Sequence, residues 1–114
     1  MKQRDYTMAC AEQLRRQGYA DVDVKTDETL TAADPDGCLV CFRCVPAGWG
    51  RVGEMEVEEL IPLIGYYGAD RGAILTGGRF TLGANLRAKQ EGNIALIPRF
   101  RPTADRTDDF EAVL

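Results

Sequence analysis

Hydrophobic positions change their spacing several times along the chain, and each change marks the boundary of a predicted element. Tyr6, Cys10 and Leu14 recur every four residues, which is the period of a helix buried on one face. Alternating apolar and charged residues and short β-forming runs predict strands. The predicted elements are a helix over 3–17, strands over 22–26, 30–33 and 38–45, a helix over 53–67, a strand over 73–76, a helix capped by Thr81 and a strand over 94–97.

Turn-forming residues separate these elements. The segment 34–37 reads Asp-Pro-Asp-Gly, which is typical of a tight turn, and 46–50 contains proline and two glycines that end the preceding strand. Pro62 removes a backbone donor and is expected to kink the second helix. The order α-β-β-β-α-β-α-β predicts an α/β fold with three layers, α/β/α, around a mixed central sheet.

Composition narrows the chemistry that this fold can carry. The 114 residues have a formal charge of −4 and contain no histidine, which excludes imidazole general bases and histidine metal ligands. No apolar run approaches the roughly 20 residues that span a bilayer, and the charged start is unlike a signal peptide. We therefore expect a cytoplasmic protein with no membrane partner.

Charge is distributed unevenly along the chain. Residues 1–70 contain 7 basic and 13 acidic side chains, whereas residues 71–106 contain 7 basic and 2 acidic ones, a local charge of +5. A patch of this size can steer a polyanion although the whole chain is acidic, because distant charges are screened by salt. The competing interpretation is a set of scattered, solvated arginines.

A longer stretch of the chain resembles a known family. Leu14, Gly18 and Tyr19 match the end of that family's first helix, and a strand hairpin follows in both. The most specific matching residues are 57–60, 67–76, Phe80, Thr81, Ala84 and Asn85. On these residues the chain resembles the Mrr-like restriction endonuclease domain of the PD-(D/E)xK nuclease fold, a group that includes type IV-like enzymes. The resemblance places the domain at 1–100 and leaves 101–114 as a C-terminal tail.

The resemblance implies four catalytic positions, because phosphodiester hydrolysis by this fold uses carboxylates to hold Mg²⁺ and a lysine beside the attacking water. The family's helix glutamate falls at Thr7, its aspartate at Thr29, and its Glu/Gln-x-Lys pair at Cys41 and Arg43. We call these four residues the family positions. Arginine cannot accept a proton at neutral pH and a thiolate prefers soft metals, so the resemblance implies the fold more strongly than the activity.

Three hypotheses about function follow. The first is a nuclease-fold protein with degenerate catalytic positions that associates weakly with double-stranded DNA and needs no cofactor. The second is an active Mg²⁺-dependent nuclease whose carboxylates have moved, with Asp27, Asp34 and Asp36 as its metal ligands. The third is an interaction module that does not bind nucleic acid and that forms a homodimer or pairs with an active relative. A separate expectation is that a partner chain supplies DNA specificity, because this chain contains no specificity domain. Glu28, Glu56 and Glu59 are further carboxylates available to such a relocated site, although glutamates in 56–59 are typical of a solvated helix face.

Candidate nucleic-acid contacts come from cationic and aromatic side chains. An exposed indole stacks on bases or on a partner, and arginine and lysine neutralise phosphates. The competing interpretation of Trp49 is that it covers the core. The candidates are Arg43, Trp49, Arg79, Arg87 and Lys89.

Three cysteines, Cys38, Cys41 and Cys44, have a spacing that occurs in zinc and iron–sulfur sites. Alternate residues of a strand face opposite sides, so Cys41 would point away from the other two. We therefore interpret them as reduced cysteines with no metal.

Overall fold

A mixed sheet lies between helices on its two faces in the computed structural model, which describes residues 2–102. The sheet order is β1-β2-β3-β4-β5, with antiparallel pairing from β1 to β3 and parallel pairing from β3 to β5. The elements are α1 Gln3–Arg16, β1 Ala20–Val24, β2 Thr29–Ala33, β3 Leu39–Val45, a 3-10 turn Ala47–Trp49, α2 Glu54–Tyr66, β4 Arg71–Thr76, α3 Leu82–Glu91 and β5 Ile94–Ile97. This order confirms the predicted α/β architecture.

Alternation along the strands divides the core into two layers. Leu30, Phe42 and Leu75 face α1 and are at most 1% exposed, while Cys41 and Ile74 face α2 and α3 and are fully buried. A strand whose successive side chains enter two different cores must be apolar on both faces, as a central strand is. Cys44 packs in the α1 layer, so the prediction that Cys41 and Cys44 face opposite sides is confirmed.

Most predicted boundaries agree with the structure to within two residues. Thr81 is the N-cap of α3, since its hydroxyl accepts a hydrogen bond from the Ala84 amide at 3.1 Å. β1 lies two residues earlier than predicted: the amides of Lys25 and Thr26 both donate to the Thr29 carbonyl, which closes a tight turn and ends the strand at Val24. α2 continues through Pro62. None of the helices within residues 2–102 is both long and apolar enough to cross a membrane.

Parallel pairing brings three strand ends to one edge of the sheet. β3, β4 and β5 all end there, and antiparallel β2 begins there, because Thr29 pairs with Arg43. We call this the carboxyl edge. The β2–β3 hairpin and the start of β4 lie at the opposite edge. Loops at the carboxyl ends of parallel strands are where α/β folds place their binding residues.

Asp34 holds the hairpin at the opposite edge. Its Oδ1 accepts hydrogen bonds from the amides of Asp36 and Cys38, both at 2.9 Å, and its Oδ2 pairs with Arg71 at the start of β4. Burial alone would raise the pKa of this carboxyl, but the two amides and the guanidinium outweigh it and hold the pKa below the ordinary value of 3.8. The charged form of Asp34 therefore stabilises the folded state.

Asp34→Asn is expected to lower the melting temperature near neutral pH, because asparagine keeps an acceptor oxygen but loses the charge that pairs with Arg71. A carboxyl with a lowered folded pKa stabilises at pH values above 3.8 and loses that effect as the pH falls through the folded value. The difference in melting temperature between wild type and variant should therefore shrink on acidification below pH 3.8. Circular dichroism melts across this range measure it, and a difference that does not change with pH would contradict the assignment.

Candidate functional site

Arg43 lies near the end of β3 and is flanked by two carboxylates. Its Nη2 is 3.2 Å from Glu28 Oε1 and 3.0 Å from Glu59 Oε1 on α2, and its side chain is 14% exposed. Its Nε is buried and has no hydrogen-bond partner within the described chain. The guanidinium is therefore already neutralised, and a phosphate would have to displace glutamates to reach it.

Thr29 and Cys41 share the face of the sheet that carries Arg43. Thr29 is the cross-strand neighbour of Arg43, and Cys41 lies two residues before it on β3. Both side chains are buried, Thr29 at 2% exposure and Cys41 at 0%. Burial raises the pKa of the Cys41 thiol to about 11, so this thiol is neutral at physiological pH.

Thr7 approaches the same end of the sheet from the opposite face. It is fully buried on α1, and its hydroxyl lies 2.6 Å from the carbonyl oxygen of Asp27 and 3.1 Å from Gln3 Nε2. Gln3 Nε2 also donates to the Cys44 carbonyl at 2.7 Å. Thr7 and Gln3 therefore connect α1 to the β1–β2 turn and to β3. These hydrogen bonds give both side chains a structural role.

The family positions do not match the requirements of Mg²⁺. This ion binds carboxylate and other oxygen ligands in octahedral geometry. Thr29, Cys41 and Arg43 offer one hydroxyl, one neutral thiol and one guanidinium cation. The carboxylates beside them, Glu28 and Glu59, are paired with that cation. A cation among the ligands repels a divalent metal, and a neutral thiol is a poor donor to it.

The carboxylates of the relocated-site hypothesis are not brought together. Asp27 is exposed at the carboxyl edge, where it pairs with Arg4 at 2.7 Å. Asp34 and Asp36 lie beyond the other end of β2, and five strand residues at about 3.3 Å each place them roughly 15–20 Å away. Within residues 2–102 no group of three or more histidine, cysteine or acidic side chains is arranged to hold a metal ion.

Exposed arginines lie on the loops of the carboxyl edge. Each arginine follows one of the three parallel strands: one comes after β3, one after β4 and two after β5. They are Arg51, Arg79, Arg99 and Arg101, and we call them the arginine rim.

Backbone hydrogen bonds hold the three loops of the arginine rim together. Val52 donates to the Arg79 carbonyl at 2.9 Å, and Arg99 donates to the Gly78 carbonyl at 3.0 Å. In the described part of the chain none of the four side chains has an acidic partner, and the loops 46–53, 77–81 and 98–102 contain no acidic residue. Among residues 2–102 the rim is therefore a surface of positive charge without acidic partners, on loops that hydrogen bonds hold together.

The remaining cationic candidates lie elsewhere. Arg87 is paired with Glu58 at 3.6 Å and with Glu91 at 2.8 Å. Lys89 is exposed near the end of α3, more than one helical turn from the rim loop that precedes this helix. Of the cations proposed from sequence, only Arg79 belongs to the arginine rim.

The sequence-based set lacked three members of the arginine rim, namely Arg51, Arg99 and Arg101. A signal for them was present, since each follows a predicted strand, and the loops after parallel strands converge. The glutamates that neutralise Arg43 were recognised only as possible metal ligands or as a solvated helix face.

Trp49 lies beside the arginine rim and is 60% exposed, so it does not cover the core. It ends the 3-10 turn, where its amide donates to the Pro46 carbonyl at 3.3 Å, and Gly50 follows with φ of +84°. Glycine adopts this φ without strain, whereas other residues do not. The backbone path after Trp49 therefore requires glycine at position 50. A cavity of about 500 Å³ opens next to Trp49.

The chain matches the model of a known family. The Mrr_cat family model, described as restriction endonuclease, matches residues 1–101. No curated protein and no solved structure matches the chain.

Proposed function

Because the chain belongs to the Mrr-type restriction endonuclease family, we propose that it binds duplex DNA at the arginine rim and does not cleave it. A nuclease domain implies DNA as its ligand, and the rim supplies a surface that fits a polyanion. The degenerate catalytic positions of the first hypothesis are kept, and so is Arg79 as a DNA contact. The other rim arginines take the place of Arg43, Arg87 and Lys89.

The main support for DNA binding is that the arginine rim has no acidic partners among the described residues. Arginines elsewhere in residues 2–102 are engaged, for example Arg43, Arg71 and Arg87. Four guanidinium groups on adjoining loops, without an acidic partner among residues 2–102, attract an anion. Phosphates release counterions when such groups neutralise them, which favours association at low salt.

The non-cleaving part rests on the chemistry of the family positions. Arg43 stands where the family has lysine, and a guanidinium does not accept a proton at neutral pH. This guanidinium is in addition engaged by ion pairs with Glu28 and Glu59. Loss of a general base alone lowers a rate by about 10²–10⁴-fold, and here the oxygen ligands of the metal are replaced as well.

An agarose gel of supercoiled plasmid tests both parts at once. Purified protein is incubated with plasmid in Mg²⁺, in Mn²⁺ and in EDTA, each at low and at moderate salt. The expected result is retarded plasmid at low salt in all three conditions, released by added salt and never nicked.

Two results would contradict the proposal. Nicked or linear plasmid in the metal lanes alone would show an active nuclease with ligands that the family positions do not provide. Unretarded plasmid in every lane would contradict the proposed DNA binding. It would favour the hypothesis that the chain is a protein-interaction module. A duplicate preparation passed over a second column excludes a contaminating nuclease as the source of nicking.

A further inference from the structure

We propose that the cavity beside the arginine rim receives one unpaired base of DNA, stacked on Trp49. The preferred ligand would then be DNA with a bulged, extruded or single-stranded nucleotide. This inference rests on the proposed DNA binding and adds the class of DNA to it.

The cavity lies at the carboxyl edge between the loop after β3, the start of the loop after β4 and the segment after β5. Its volume of about 500 Å³ is within the range of small-molecule pockets. Aromatic, proline and glycine residues form most of its wall, and the described lining also includes one arginine side chain. The lining residues are Tyr6, Pro46, Ala47, Gly48, Trp49, Gly77, Phe100, Arg101 and Pro102.

Contacts between the lining segments show that the cavity is preformed. The Phe100 amide donates to the Thr76 carbonyl at 2.7 Å, and the Phe100 carbonyl accepts from the Tyr6 hydroxyl at 2.7 Å. A Cβ added at Gly77 would lie 3.0 Å from the Ala47 Cβ and 3.3 Å from its amide nitrogen. The two loops are therefore in contact at Gly77. Because they are already ordered, the entropic cost of ligand binding is small.

Trp49 supplies the stacking surface. An indole that is 60% exposed beside a cavity has an uncovered apolar face, whereas a base in a duplex has both faces stacked on its neighbours. Only an unpaired or extruded base presents a face to an aromatic side chain. Trp49 therefore selects for an unpaired base over a paired one.

Arg101 links the cavity to the arginine rim. It lines the cavity and also belongs to the rim, so a base on Trp49 and the phosphate attached to it would meet an indole and a cation together. Of residues 2–102, none that lines the cavity is acidic. A nucleotide fits this combination better than an apolar peptide, which would leave the guanidinium unused.

The chain contains a single tryptophan, so its fluorescence reports on Trp49 alone. Titration at low salt compares a short perfect duplex with the same duplex carrying one extra unpaired thymine. The bulged duplex is expected to quench the fluorescence strongly and to bind about 5- to 150-fold more tightly, the range that stacking on an aromatic side chain provides. The perfect duplex is expected to bind with little quenching.

Variants measured by anisotropy of labelled DNA separate stacking from structure. Trp49→Ala is expected to bring the ratio of affinities for bulged and perfect duplex close to one, and Trp49→Phe to retain part of the preference. Tyr66→Ala is the matched control, because Tyr66 is an aromatic residue 79% exposed on α2 and away from the cavity. This control should keep the wild-type ratio.

Three outcomes would overturn the inference. Binding of both duplexes with equal affinity and no quenching removes the base pocket and leaves DNA binding intact. An unchanged affinity ratio in folded Trp49→Ala places the base elsewhere. Absence of binding to either duplex removes the proposed function and this inference together.

Discussion

Replacement of all four arginine-rim residues by alanine is expected to abolish salt-sensitive DNA binding. If each of the four contacts one phosphate, the logarithm of the binding constant falls with the logarithm of salt concentration at a slope of roughly −3.6 in the wild type. That slope corresponds to about a hundredfold loss of affinity between 50 and 200 mM salt, and the variant should show a slope near zero. Anisotropy of a labelled perfect duplex across this salt range measures both slopes.

A second variant with the same change in net charge is the matched control. It replaces Arg15, Arg16, Arg87 and Lys89 by alanine, which also removes four positive charges but leaves the carboxyl edge intact. Arg15 and Arg16 are paired with Glu12, and Arg87 with Glu58 and Glu91, so these groups are already neutralised. An equal loss of affinity in both variants would show that net charge, and not the rim, attracts DNA.

The fold was accessible from the sequence because its signals are local. The four-residue spacing of Tyr6, Cys10 and Leu14 corresponds to three side chains that are 5%, 0% and 2% exposed on α1. The strands were recognisable from β-forming runs and the turns from glycine and proline. β1 was misplaced because Asp21 adopts a φ of 53° and the β1–β2 register shifts between Ala20 and Asp23, which alternation alone does not reveal.

The candidate site was less accessible because it depends on pairing between distant elements. The resemblance predicts that Arg43 stands at the family's lysine position, but its ion pairs with Glu28 and Glu59 depend on β2 and α2 packing beside β3. The local excess of arginine in residues 71–106 was visible, but Arg71 and Arg87 are paired in the structure and Arg51 from the first half joins the arginine rim. Which arginines have an acidic partner is determined by the tertiary structure.

Restoring the family residues on one face of the sheet is expected to create Mg²⁺-dependent stability and nicking that the wild type lacks. The variant carries Thr29→Asp, Cys41→Glu and Arg43→Lys, three neighbouring positions on β2 and β3. Thr7 is kept because it holds the β1–β2 turn. Two carboxylates at buried positions repel each other without a cation, so the metal-free variant should melt below the wild type.

Added Mg²⁺ should reverse this loss, since the carboxylates then coordinate the ion instead of repelling each other. At a free concentration tenfold above the dissociation constant, binding to the folded state alone contributes about 1.4 kcal/mol. For a domain of this size that raises the melting temperature by roughly 5–10 °C. The wild type should show no such shift, and differential scanning fluorimetry with Mg²⁺ and EDTA measures both proteins.

The matched control for the restored site is the variant with Thr29→Asn, Cys41→Gln and Arg43→Lys. It has nearly the same side-chain volumes but lacks the two carboxylates, so it isolates charge and metal binding from packing. It should show neither the Mg²⁺ shift nor nicked plasmid.

A folded aspartate–glutamate–lysine variant that also shows neither would mean that Thr29, Cys41 and Arg43 are not the family's catalytic positions. A Mg²⁺ shift or nicking in the wild type would mean that the carboxylates already present, Asp27 and Glu28 among them, form a working site.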